Sequence, residues 1–150
     1  MTVYERLAAL HLILPEVAPT HEFVAVNIVG DLAYISGHAP FDKGAFRYRG
    51  RIGRELDLAD GVQAARLAVL GCLSSLERSI GSLDRVSQII KLTGYVNCLE
   101  EFHDLPLVTD AASKVLLALF GGLGHARTTV GVASLPKGVA VEIDLLVRFA

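Results

Sequence analysis

The sequence predicts an α+β domain, and three observations carry that reading. Two runs rich in β-formers flank a Gly-Asp pair, two amphipathic stretches repeat their apolar residues at helical spacing, and further alternating runs follow each stretch. The predicted order is strand, strand, helix, strand, helix, strand, strand, which lets both helices cover one face of a single mixed sheet and leaves the other face open.

The first pair of strands comprises Phe23 to Val29 and Leu32 to Gly37, with Gly30 and Asp31 as a two-residue hairpin turn. Simple alternation then puts Val24, Val26, Ile28 and Ile35 on one face. It puts Phe23, Asn27, Tyr34, Ser36 and His38 on the other. Residues 39 to 56 carry Pro40, three glycines and several arginines without sustained periodicity, so a loop with one short strand near Phe46 to Ile52 is expected.

Asp57, with Asp60 three positions on, is an N-cap for a helix whose apolar stripe runs through Leu58, Val62, Ala65, Val69, Cys72, Leu76 and Ile80 and ends at Gly81. Val86, Ile90, Leu92 and Val96 alternate with Lys91, Thr93, Tyr95 and Asn97, the period of a strand. A second helix from Pro106 buries Val108, Ala112, Val115 and Leu119 and stops at Gly121 and Gly122. Ala126 to Val132 and Val139 to Phe149 are the closing strands, joined by a turn at Pro136 to Gly138. An even connection would align Val130 and Val132 with Val139, Val141, Ile143 and Leu145. Arg127, Thr129, Glu142 and Asp144 would then share the opposite, open face, together with Tyr34, Ser36 and Tyr95.

At 150 residues the chain is expected to form one domain with a core that needs no metal or disulfide staple. Its mean hydropathy of +0.47 is high for a monomer without membrane segments, so a neighbouring subunit is expected over the open face. The net charge of -2, without runs of one sign, gives no footprint for nucleic acid. The longest apolar stretch, Val115 to Leu123, falls short of the roughly 20 residues of a membrane helix. No export signal is read in the first residues, and the two separated cysteines, Cys72 and Cys98, suit a reducing compartment, so a cytoplasmic location is expected.

Five histidines show no metal-ligand spacing, so no metal is expected. The glycines at 121, 122 and 124 follow a helix, whereas phosphate loops follow a strand. Ser36 has no triad partner beyond the nearby His38, and its plain reading is a strand-end hydroxyl bonded to backbone. Arg127, inside a short β-run, needs an anion for its planar fork. Glu142, a residue of another subunit and a bound carboxylate ligand all remain open as that anion. Glu142 is either a structural counter-ion or the group that orients a water for attack.

Several segments together resemble the RidA (YjgF, or endoribonuclease L-PSP) family of reactive-intermediate imine deaminases. They are "GDLAYISGHAP", the helix "GVQAARLAVLGCLSSLERSIGSLDRV" and "HARTTVGVASLPKGVAVEI". The resemblance spans residues 20 to 149, and the preceding extension with Leu14 and Pro15 is similar to that of a longer branch. It implies a chorismate-mutase-like fold and a homotrimer with ligand clefts between subunits. It also implies hydrolysis of small 2-imino acids to 2-oxo acids and ammonia without a cofactor. In that resemblance Arg127 grips the substrate carboxylate, Glu142 positions water and Ser36 belongs to the pocket. Phe23 stands where deaminating relatives carry tyrosine, Thr129 where they carry cysteine, and His38 where glutamine is frequent. Asp110 falls near their pocket asparagine. A small-metabolite binder that has lost hydrolysis is the alternative implied by these departures.

Overall fold

The computed structural model describes residues 1–150 as helix α1 (Val3–Ala9), strands β1 (Val26–Val29), β2 (Leu32–His38), β3 (Phe41–Asp42) and β4 (Ala45–Phe46), and helix α2 (Leu58–Ile80). Strand β5 (Val86–Asn97), helix α3 (Leu105–Phe120) and strands β6 (Ala126–Val132) and β7 (Val141–Phe149) follow. The five long strands form one sheet in the order β1-β2-β7-β5-β6. All its neighbours are antiparallel except β5 and β6, which run parallel because α3 carries the chain back between them. No helix is long and apolar enough to cross a membrane.

Local chemistry explains most of these elements. Asp57 and Asp60 form a reciprocal capping box at the start of α2, and Gly81 ends it in the left-handed conformation that a glycine adopts without a Cβ penalty. The β1–β2 hairpin turns at Gly30 and Asp31, with Val29 opposite Leu32. Helices α2 and α3 cover one sheet face, burying Leu73, Leu76, Leu116 and Leu119 against Leu92, Val96, Ile143 and Val147. Gly94 lets α3 sit close, since a Cβ there would lie 2.4 Å from Thr109 Cγ2. Leu92 is fully buried at the centre of this layer. Leu92→Ala is expected to cost about 2–5 kcal/mol in denaturant unfolding, by lost transfer energy plus a residual cavity.

Two elements lie outside the expected order. Helix α1 has its own capping box between Thr2 and Glu5 and buries Val3 and Leu7. It is fastened by Val3 N–H to Asp84 Oδ1, by Arg6 Nη1 to the Leu119 carbonyl, and by Tyr4 Oη accepting from Leu83 N–H. The small β3–β4 hairpin occupies part of the expected loop and ends near the start of the strand predicted there.

Three face assignments are corrected. First, β6 and β7 do not pair: β5 lies between them, and its parallel register sets Leu92 beside Arg127 and Gly94 beside Thr129. Arg127 and Thr129 therefore point to the helix side, not to the open face. Second, Val130 is 39% exposed and does not join the core formed by Val139, Val141, Ile143 and Leu145. Third, a bulge between Ile35 and His38, opposite Leu145 and Ile143, inserts one residue into β2 and turns His38 to the helix side. Tyr34, Tyr95, Glu142 and Asp144 remain on the open face, where Tyr95 Oη donates to Asp144 Oδ2 at 3.1 Å.

Candidate functional site

The bulge in β2 opens a cavity of about 290 Å³ between that strand, residues 16–20, the β3–β4 hairpin and the turn at Pro136 and Lys137. Glu142 enters it from β7, with Phe23, Ser36 and Gly37 also in its lining. Gly37 leaves room for this approach. A Cβ at that position would stand 2.7 Å from Glu142 Oε2, so any side chain would displace the carboxylate. Burial raises the Glu142 pKa above its ordinary value, and the nearby Asp144 adds to the rise. A half-buried carboxylate with raised proton affinity is a stronger base than a solvated one.

Apolar groups form much of the remaining wall. Phe41 and Phe46 meet edge to face with centroids 5.0 Å apart. The 16–20 segment is held by the Ser74 hydroxyl donating to the Pro15 carbonyl at 2.7 Å, and Val17 lies against the position of Gly71. Ser36 takes its plain reading, donating to the Val24 carbonyl at 2.8 Å at the edge of the cavity.

His38 lies between the cavity and α2. Its Nδ1–H donates to the Ser36 carbonyl, and Nε2 accepts from the Ser75 hydroxyl at 2.7 Å. Burial lowers its pKa below the ordinary 6.5, which the Ser36 bond only partly offsets. The unfolded chain then binds a proton that the folded chain refuses, so His38 contributes stability above about pH 6.5 that is lost as pH falls through the window below it. Subtracting the stability–pH profile of His38→Gln from that of the native chain is expected to leave a curve that rises from acid pH and levels off near neutrality.

Arg127 is placed elsewhere, at the outer edge of the sheet. Its Nη1 donates to Asp110 Oδ1 at 2.8 Å and to Ser113 Oγ at 3.2 Å. Its anion within the chain is thus Asp110 on α3 and not Glu142. The contact is made through one nitrogen, and Nε and Nη2 have no partner within the chain. His125 Nε2 shares a 2.9 Å hydrogen bond with Ser113 Oγ, and burial followed by the Arg127 charge lowers the His125 pKa. Thr129 Oγ1 lies 2.7 Å from Thr109 Oγ1.

Within one chain, Phe23, Ser36 and Glu142 therefore share the cavity, whereas Arg127, Asp110 and Thr129 form a second cluster two strands away on the opposite sheet face. Sequence reasoning missed Gly37, Phe41, Phe46 and Lys137 as cavity residues, and Ser113 and His125 as neighbours of Arg127. Only Gly37 carried a local signal, as a glycine inside a β-run, which marks a bulge or a close approach. No three His, Cys, Asp or Glu side chains converge as a metal-ligand set. Cys72 and Cys98 are separate buried thiols.

Comparison with known proteins places this geometry among relatives. The family described as "YjgF/chorismate mutase-like, putative endoribonuclease" matches residues 4–145. The chain is 37% identical to the Trypanosoma cruzi protein TCP17 over 133 residues, covering 87% of this chain and 83% of that one. The crystal structure of Atu1372 from Agrobacterium tumefaciens, a protein of unknown function, superposes with a TM-score of 0.92 at 34% identity, covering 99% of this chain and 94% of its own. A structure from Shewanella oneidensis MR-1 superposes with a TM-score of 0.95 at 32% identity, covering 99% and 100%.

Proposed function

This chain belongs to the YjgF/chorismate-mutase-like family, and from that premise we propose that it is a cofactor-independent, RidA-like imine deaminase that works as a homotrimer. It hydrolyses small 2-imino acids to 2-oxo acids and ammonia. The observation that carries the reading is the Glu142 carboxylate, held over Gly37 in a largely apolar cavity with its proton affinity raised.

In this scheme Glu142 orients a water molecule and takes its proton as the oxygen attacks the imine carbon. With the substrate bound as the iminium ion this gives a neutral carbinolamine; Glu142 returns the proton to its nitrogen, ammonia leaves as the C–N bond breaks, and the carboxylate takes the hydroxyl proton as the carbonyl forms. The substrate carboxylate needs a cation that one chain's cavity does not take from Arg127. The Nε and Nη2 edge of Arg127 from the partner subunit supplies it, since that edge matches a carboxylate in a two-bond fork. Holding both reactants in one cleft removes most of the entropic cost of their encounter. Phe23 and Thr129 shape the two halves of the pocket, and Ser36 supports its floor.

One observation favours a second reading. Asp110 neutralises part of the charge that would hold a carboxylate, as expected of a metabolite binder without turnover. Ammonia release from 2-iminopropanoate and 2-iminobutanoate generated in situ separates the two. A rate above that of buffer alone is expected for the deaminase. A rate equal to buffer removes that activity for these substrates.

A further inference from the structure

Resting on the deaminase reading, we infer that the cavity beside Glu142 selects imino acids with a bulky apolar, preferentially aromatic, side chain, and that residues 16–20 and the β3–β4 hairpin set this preference. The partly open cavity of about 290 Å³ offers far more space than the one- and two-carbon chains of 2-iminopropanoate and 2-iminobutanoate fill. A short chain would leave it wet or empty.

The wall is aromatic on two sides. Phe41 and Phe46 present the edge-to-face pair on one side, and Phe23, 59% exposed, stands as an unpartnered ring on another. A substrate ring packed against these three gains both buried area and favourable quadrupole geometry. Val17, Ala18 and Pro19 extend the apolar surface.

Two polar side chains of the inner wall, Ser36 and His38, are already committed, and Thr20 lies on the exposed rim. The Ser36 hydroxyl is bonded to the Val24 carbonyl, and both His38 nitrogens are bonded to Ser36 and Ser75. A polar substrate side chain would give up water without regaining partners there, which disfavours it. The charged lining groups other than Glu142 are Glu16 and Lys137, both on exposed residues.

The wall is also fixed in place. The Ser74 to Pro15 bond and the three fastenings of α1 tie the extension to α2, α3 and the Leu83–Arg85 turn. A wall held in this way does not collapse onto a short ligand. The volume therefore favours large apolar chains, which bury area there that short ones cannot.

The test measures binding and turnover separately on the full-length native assembly. Calorimetric titration with the stable 2-oxo acids phenylpyruvate and pyruvate is expected to show at least a tenfold preference for phenylpyruvate, the scale set by burying one aromatic side chain. Phe46→Ala is expected to reduce that ratio several-fold, and Phe46→Leu to restore much of it. If Phe46→Ala fails to fold, the ratio in the native protein decides alone. Equal affinities, a preference for pyruvate, or no binding of either acid overturns the inference. A phenylpyruvate preference with no hydrolysis of any imine leaves the inference standing and overturns the deaminase reading instead. Hydrolysis of short imines with no gain for the phenylalanine-derived imine does the reverse.

Discussion

Glu142→Gln is expected to lower kcat for imine hydrolysis by roughly 10²- to 10⁴-fold, the range for losing a positioned general base. The replacement keeps the shape that fits over Gly37 and removes only the ability to take a proton. Folding is not the cause of the loss. The Glu142 pKa is raised in the folded state, so its favourable contribution is present at low pH and falls away as pH rises through the folded value. At neutral pH the ionised carboxylate therefore costs stability, and glutamine relieves that cost. Unfolding curves at pH 7 should show the variant as stable as the native chain or more so. In the native protein, kcat/KM should climb with pH along a limb displaced upward from that of an ordinary carboxylate, and the limb should vanish in Glu142→Gln. Retention of the limb would assign it to another group.

Arg127→Ala is expected to lower kcat/KM by about 10²-fold or more, the scale for truncating one partner of a desolvated charge pair. The Arg127 and Asp110 side chains are 24% and 42% exposed, so losing their mutual contact should cost about 1 kcal/mol or less of stability. The activity loss and the folding effect are thus separable. Lysine should not rescue it, because a point charge lacks the planar fork. Asp110→Asn should act in the opposite direction, tightening binding of 2-oxo acids by removing a competing negative charge. An Arg127→Ala protein with native kcat/KM would reduce Arg127 to a structural partner of Asp110.

Much of the scaffold was legible because it rests on local rules. Asp57 and Asp60 mark the start of α2, Gly81 its end and Gly30–Asp31 a hairpin, each through contacts within a few residues. The placement of Arg127 was not legible. It depends on β6 pairing in parallel with β5 rather than folding back on β7, and a non-local register decides which face every side chain of a strand occupies. His38 was misplaced for a related reason, since strict alternation fails across a bulge whose one extra residue is defined only by the partner strand. Helix α1 is a seven-residue segment, too short for periodicity to reveal, and its burial depends on the distant Asp84, Leu83 and Leu119. Glu142 could be selected from the sequence, but its cavity could not, because residues 16–20, Phe41 and Phe46 meet it only in the folded chain.

Complementation between two inactive variants tests most directly whether Arg127 and Glu142 act on one substrate from different chains. In the proposed homotrimer, Arg127→Ala and Glu142→Gln subunits, each inactive when assembled alone, should recover about a quarter of native activity when assorted at random, because some interfaces then pair an intact Arg127 with an intact Glu142. Mixed trimers verified by native mass that show no recovery would contradict a shared site.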